Sequence, residues 1–470
     1  MPSPVIPARH RVSLWRDGDF RRLWVGQTAS QFGAQAGQVT LPLIAVVALN
    51  AGAAQLGVLR AVQQAPILLF SLFVGVWVDR RRSRTVMVLA DLGRAAALAA
   101  IPITYLLGML GTPALLVVAF LVGVLTVAFD VAYQASLVRL VERDQLAQGN
   151  SALEGSRSAA QVGGPALGGA MVSLLSAPIA IVVSAFFFTL SFLTIRRIRR
   201  PEPIPQHAEP PTRVLRQIHE GLRLVVGDTS LRAVGLASGI FQFSFAALMT
   251  VYLLFLPRTL HLSGAAVGLA LAAMGPGALA GSLLSAGLPG RFGHGVVLVS
   301  SAALADGVML CVPALHGSTA VTISLLMTIN FVFGVFSQIV DVTVMAVRQA
   351  ITPMRIQGRV VATINFVGMG LTPLGSLLGG YLAGEWGLRT SLLLTAVGVS
   401  LSPLFMALSP LARLGRTLPP AHQATGLEEP GAPGLRGSRG RRRPAGTPGS
   451  GPGGPRVRRG PLRSRGRRLR

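Results

Sequence analysis

Gly75-Val76-Trp77-Val78-Asp79-Arg80-Arg81-Arg82-Ser83-Arg84 joins two apolar runs, roughly 54–78 and 85–107. Each run is long enough to cross a bilayer as a helix, which takes about 20 residues. Four arginines crowd this short loop, and cationic loops are retained on the cytoplasmic side. Anchoring needs only the positive charges, so the acid at the head of them, Asp79, is a separate feature with a separate purpose.

Composition agrees with that reading over most of the chain. The protein is 51% hydrophobic and only 13% charged, with mean hydropathy +0.58; a soluble domain carries about 25% charge. Glycine (55) and proline (31) are abundant, as in transmembrane helices, where small residues let helices approach closely. The net charge of +26 does not indicate nucleic-acid binding. About half of it lies in the last 35 residues, and the rest falls mainly in loops between apolar runs. Every cationic residue is arginine, and Cys311 is the sole cysteine, so neither a disulfide framework nor a zinc site is expected. No metal site and no cofactor is expected, and the basic, polar N-terminus does not read as a cleavable signal peptide.

Twelve spans are expected, near 22–49, 54–78, 85–107, 112–138, 147–175 and 177–196, then 230–257, 264–288, 295–315, 318–347, 358–384 and 388–411. The fold class is therefore an all-α membrane protein, with twelve transmembrane helices in two pseudo-symmetric six-helix bundles. The expected organisation is a cytoplasmic segment 1–21, a bundle 22–196, a linker 197–229, a bundle 230–411 and a disordered Arg/Gly/Pro-rich tail 412–470. Within the linker, Thr212–Val226 has apolar residues at helical spacing between arginines, the pattern of an amphipathic helix on the inner membrane surface. Arginine-rich loops alternate with arginine-poor ones, which puts both termini in the cytoplasm of a multi-pass plasma-membrane protein.

The halves echo one another. Gly164-Pro165-x-x-Gly168-Gly169 in the fifth span parallels Pro373-x-Gly375-x-x-x-Gly379-Gly380 in the eleventh. Asp91 and Asp306 each follow Leu-Ala in the third span of their half. Repeated six-helix halves are a mark of transporters built from internal repeats.

On these motifs the chain resembles the major facilitator superfamily. Gly75-x-x-x-Asp79-Arg80-x-x-x-Arg84 is similar to that superfamily's loop 2–3 signature. The segments Phe129–Gln134, Glu154–Ser158, Gly164–Gly169, Arg348-Gln349 and Gly358–Val360 are similar to the branch that includes enterobactin exporters and macrolide-efflux permeases. The resemblance covers roughly 13–411. It implies a secondary active transporter working by alternating access, a proton-coupled exporter of a small amphipathic molecule such as a drug, antibiotic or siderophore. A metabolite uptake permease on the same fold is the alternative, and a non-transporting receptor or scaffold is the reading from a different class. Enzyme signatures are absent from the sequence. The expected partners are a small-molecule substrate, a proton gradient and the lipid bilayer, with the chain a monomer.

Four sets of residues carry that expectation. Gly75, Asp79, Arg80 and Arg84, with Arg139 at the inner end of the fourth span, form a candidate latch: an acid paired there only when the inner side is closed biases the conformational equilibrium. Asp130, the Glu154/Arg157 pair and Asp306 are the proton-coupling candidates, because a carboxyl without a partner inside a membrane is expensive and functional by default. Gly164, Pro165, Gly168 and Gly169 permit close helix packing, as do Pro373, Gly375, Gly379 and Gly380; in the superfamily the first set is associated with exporters. Gln27, Gln31, Gln63, Phe241 and Phe245 are the candidates for lining a central cavity. Asp91 and Arg94, one helical turn apart, are read as a neutralised structural pair.

Overall fold

The computed structural model describes residues 14–79, 81–141, 145–200, 223, 226–227, 229–351, 364, 366 and 368–416, and every regular element among them is helical. The first six rods are α1 (Gly18–Leu43), extended by one π turn Ile44–Ala48, α2 (Ala53–Asp79), α3 (Ser83–Leu106), α4 (Thr112–Leu140), α5 (Leu146–Leu174), and α6 (Ala177–Ala180) continuing into α7 (Val182–Arg196). The later rods are α8 (Thr229–Arg258), α9 (Gly264–Ala272) running into α10 (Met274–Ser285), α12 (His294–Met309), α13 (Ala320–Ile351), α14 (Thr372–Glu385) and α15 (Leu388–Leu408), with a short α11 (Leu288–Phe292) between α10 and α12. Eight of these spans are long and apolar enough to cross a membrane. Helices α1 and α5 are not among the eight; each carries a row of polar residues, Gln27, Gln31, Gln35 and Gln38 on one, Glu154, Arg157 and Gln161 on the other.

Local chemistry sets the ends of the rods. The Asp17 carboxylate caps α1 by accepting from the backbone N–H groups of Asp19 (2.8 Å) and Phe20 (3.3 Å). Ser263 caps α9 through the Ala266 N–H. Gly108 (φ +68°) ends α3 and Gly387 (φ +77°) turns the chain from α14 into α15, a left-handed conformation that glycine adopts without a side-chain clash.

Helices before residue 197 pack mainly on one another, α1 against α5 and α7, α2 against α4, α3 against α4 and α7. The later helices do likewise, with α8 against α14 and α15 and α13 against α10 and α12. Two seams join the groups, α5 on α9 and α2 on α14. The hydrophobic core is asymmetric along the long axis. At the arginine-poor end one continuous cluster runs through both groups, from Leu41, Leu56 and Leu98 to Leu254, Val267, Leu326 and Leu392. At the arginine-rich end it divides, with one cluster in the first group around Phe20, Met87 and Phe129 and two in the second, around Leu231, Leu298 and Val344 and around Val297, Val335 and Ile339.

Two expectations meet the edge of the description. The amphipathic helix at 212–226 lies largely outside the described residues, as does the tail from 417 onward. Residues 412–416, assigned above to the tail, belong to the fold. Pro410–Arg413 forms a 3-10 turn, and the Gly415 carbonyl accepts from the His294 N–H at 3.0 Å and the Leu414 carbonyl from the Gly295 N–H at 2.9 Å, closing the start of α12.

Candidate functional site

A cavity of about 410 Å³ lies between the two helix groups, within the size range of small-molecule sites. α1 contributes Gln35, Gln38 and Val39, α2 Arg60, and α5 Gln161 and Pro165. From the other group come Phe245, Met249 and Leu253 of α8, Leu271 to Ala278 of the α9–α10 rod, and Phe333, Ser337 and Gln338 of α13. Phe245 is the centre of an aromatic stack: its ring lies 5.3 Å from Phe241 at 11° and 5.4 Å from Phe333 at 2°. Of the sequence candidates Phe245 lines the cavity and Phe241 supports it from behind. Gln27, Gln31 and Gln63 are not in the lining; Gln27 is buried, with its side-chain oxygen unbonded. The glutamine stripe of α1 does reach the cavity, one to three turns further along, at Gln35 and Gln38.

The intramembrane charges fall into distinct settings. Asp91 and Arg94 are both fully buried and paired. The Asp91 carboxylate also accepts from Ser191 Oγ (2.5 Å), Arg94 donates to Ser30 Oγ (3.1 Å), and the guanidinium lies 4.5 Å and 4.3 Å from the ring centroids of Phe129 and Phe188. This network ties α3 to α1, α4 and α7, as a structural pair should, with Arg94 Nε alone left without a hydrogen-bond partner. Asp306 occupies the equivalent place in α12, also buried, but the residue one turn on is Met309 instead of an arginine. Among the described residues no hydrogen bond or ion pair reaches Asp306. Glu154 and Arg157 sit 3.8 Å apart on α5 and are exposed, 67% and 56%. Asp130 on α4 is exposed too, with the charges of Arg94 and Arg157 acting on it. Asp341 on α13, exposed and facing the charge of Arg348, escaped the sequence reading. The signal was present: Val340-Asp341-Val342 occupies the place in the second half that Phe129-Asp130-Val131 holds in the first.

The glycine motifs lie where helices touch most closely. A β-carbon built on Gly164 would stand 2.4 Å from Gln35 Cβ, and one on Gly168 2.8 Å from the Ala36 carbonyl, so these two pack α5 on α1. Gly169 faces the other way, 2.3 Å from the Gly264 carbonyl oxygen and 2.6 Å from Gly268 Cα on α9. The second motif repeats the division. Gly375 and Gly379 meet the backbone of Phe243 and Ala247 on α8, while Gly380 meets Gly57 Cα on α2 at 2.8 Å. Pro165 puts its carbonyl 2.6 Å from a Gly268 β-carbon, and Pro373 stands in the first turn of α14. Polar contacts reinforce both seams at the arginine-poor end: Arg258 donates to the Ala51 carbonyl (2.6 Å) and the Ala265 N–H to Ser173 Oγ (2.6 Å).

Of the candidate latch, the surroundings of Gly75, the side chain of Asp79 and the whole of Arg80 lie outside the described residues. Arg139 donates to Ser83 Oγ at 3.1 Å, which puts the end of α4 beside the loop that carries Asp79. Arg84 donates to the Arg196 carbonyl. Asp19 gathers this end of the first group, accepting from the Arg199 and Arg200 N–H groups (3.0 and 2.9 Å) and from Arg22 (2.6 Å).

Comparison with known proteins fits this architecture. The profile of a family described as transmembrane secretion effector matches residues 11–427. The chain belongs to that family. It is thereby a transporter of the major facilitator superfamily, embedded in a membrane, and the family is one of transporters and not of enzymes. The chain is 27% identical over 370 residues to the multidrug efflux pump Tap of Mycobacterium tuberculosis, covering 75% of this chain and 84% of the relative. It is 26% identical over 324 residues to an uncharacterized MFS-type transporter of Sinorhizobium fredii, covering 68% and 78%. A bacterial homologue of the lysosomal transporter Spinster, solved inward-facing and occupied, superposes with TM-score 0.67 at 14% identity over 86% of this chain and 98% of that one. A bacterial homologue of the iron transporter ferroportin, inward-facing, gives 0.67 at 15% over 84% and 98%. At such identities the solved structures speak for the fold alone.

Proposed function

We propose that the protein is a proton-coupled exporter of small amphipathic molecules that works by alternating access between two six-helix halves, 22–196 and 230–411, twelve spans in all. The observation that carries this is the asymmetric core: one continuous hydrophobic seal at the arginine-poor end, separate clusters in the two groups at the other, and a partly aromatic cavity between them. With the arginine-rich end cytoplasmic, this is the state that loads from inside. The exposed Asp130, Glu154 and Arg157 line the way in from that side. Export is favoured over uptake by the similarity to Tap, which is named a multidrug efflux pump. The chain acts as a monomer in the plasma membrane with both termini inside.

In this reading the Gly169 and Gly57/Gly380 seams close the outer gate, and Asp79 pairs with Arg139 to close the inner one. Asp306, buried and without a partner among the described residues, carries the coupled proton, and Asp130 is second in line. The test is drug flux in everted membrane vesicles with and without a pH gradient. Accumulation that collapses with the gradient is expected for the parent, and Asp306→Asn should lower gradient-driven uptake at least tenfold while leaving insertion intact. Gradient-independent flux in the parent, or full activity in Asp306→Asn and Asp130→Asn alike, would overturn proton coupling through these acids. Uptake only by right-side-out vesicles would reverse the direction.

A further inference from the structure

Among the described residues that line the cavity, Arg60 alone is charged. Its Nε is fully buried and has no hydrogen-bond partner, and no described residue forms an ion pair with it. Arginine keeps its charge in proteins, and an unpaired guanidinium at membrane depth is costly. Arg94, whose Nε is likewise unbonded, has that cost met by the Asp91 carboxylate paired with it and by the Ser30 hydroxyl that accepts from it. No acid among the described lining residues does the same for Arg60. The same cavity is lined by Gln35, Gln38, Gln161 and Gln338, none hydrogen-bonded to a described residue, so their amides are available. On the opposite wall is the stacked face of Phe245 and Phe333.

We infer that the missing partner of Arg60 is the cargo: the cavity takes an amphipathic anion, an aromatic or apolar body bearing one carboxylate or equivalent acidic group. The guanidinium receives the anion in a fork of parallel N–H donors, the glutamines satisfy its remaining polar atoms, and the body lies against the phenylalanine stack. This deepens the exporter reading by naming a cargo class, and it runs against the cationic cargo that an acid-lined cavity would select.

The test is calorimetric binding to the full-length protein in lipid nanodiscs, empty nanodiscs subtracted, of three probes that differ only in the head group: naphthoate, the neutral naphthamide and the cationic naphthylmethylammonium. Naphthoate should bind the parent at least tenfold more tightly than the amide, about 1.4 kcal/mol, with the cation weakest. Arg60→Gln should remove that preference and leave the amide's affinity unchanged, which also reports that the cavity is intact. Arg60→Lys, charged but without the fork, should keep part of it. The inference is overturned if the parent binds amide or cation as well as naphthoate or binds none of the three. It is equally overturned if Arg60→Gln loses anion and amide alike while Arg60→Lys shows no anion preference. Sulfate binding as tightly as naphthoate would mean an inorganic anion site and overturn the amphipathic part. Flux in energised everted vesicles separates this inference from the exporter reading. Extrusion of the cation alone sinks the anion inference and leaves the exporter; selective naphthoate binding without gradient-driven flux does the reverse.

Discussion

Gly169 offers the sharpest test of how the two groups of helices move. A β-carbon there would lie 2.3 Å from the Gly264 carbonyl oxygen, 2.6 Å from Gly268 Cα and 2.8 Å from Gly268 N, all of it backbone that no rotamer change can clear. Real β-carbons essentially never come within 3.0 Å of a neighbour, so in Gly169→Ala α5 and α9 must part by roughly 0.7 Å, the gap between 2.3 and 3.0 Å. Overpacking of this kind costs about 1–3 kcal/mol. The clash exists only while the seam is shut, so the cost falls on that state alone and shifts the equilibrium roughly five- to 150-fold toward an open arginine-poor end. Gly155→Ala, on the same helix with no heavy atom within 4 Å, is the matched control. The assay is double electron–electron resonance between spin labels at Met109 and Trp386, both exposed in arginine-poor loops, with Cys311→Ser as background. Gly169→Ala should add a longer-distance population and slow transport, while Gly155→Ala should match the parent. Distance distributions that superpose for all three proteins, with parental transport rates, would refute the seam as a gate.

Other outcomes follow from the charge networks. Asp91→Ala strands Arg94, 1% exposed, without its counter-charge; losing one partner of a buried pair costs about 3–5 kcal/mol. The solubilised variant should therefore melt well below the parent, and below Asp91→Asn, which keeps the shape and an acceptor; equal melting temperatures would mean the network is not stabilising. Asp19 sits at the mouth of α1, where burial works to raise its pKa but the Arg199 N–H, Arg22 and the Arg200 N–H outweigh it, holding the carboxyl below the usual carboxylate range. A depressed pKa gives stability that is present above the unfolded value of about 3.9 and lost as pH falls through the folded one. The melting-temperature gap between parent and Asp19→Asn should thus be open at neutral pH and close below about pH 4; a pH-independent gap would show that the interaction does not depend on the charge.

Much of the scaffold could be read residue by residue. The run expected at 54–78 is α2, Ala53–Asp79, and that expected at 112–138 is α4, Thr112–Leu140, because length and hydropathy of a span are properties of consecutive residues. The Asp91/Arg94 pair was legible for the same reason, being one helical turn apart. The glycine motifs announced close packing but not with whom: nothing in Gly168-Gly169 says that the first meets Ala36 in its own group and the second Gly268 across the seam. The cavity was harder still. Arg60 interrupts an apolar run with nothing local to say what it faces, and Gln35, Gln161, Phe333 and Gln338 join it from three further helices far apart in the chain.

The sequence by itself therefore determined the helical, membrane-embedded character of the chain and its family, written in local hydropathy and short motifs. Tertiary structure decided which face of each span looks inward, where the core is continuous and where it divides, and that Arg60 stands in the cavity wall without a counter-charge among the described residues. Those depend on the rotation of each helix about its axis and on the contact between the two groups. In lipid these are settled by packing between distant segments, because an apolar surface has no preference between a neighbouring helix and a lipid tail.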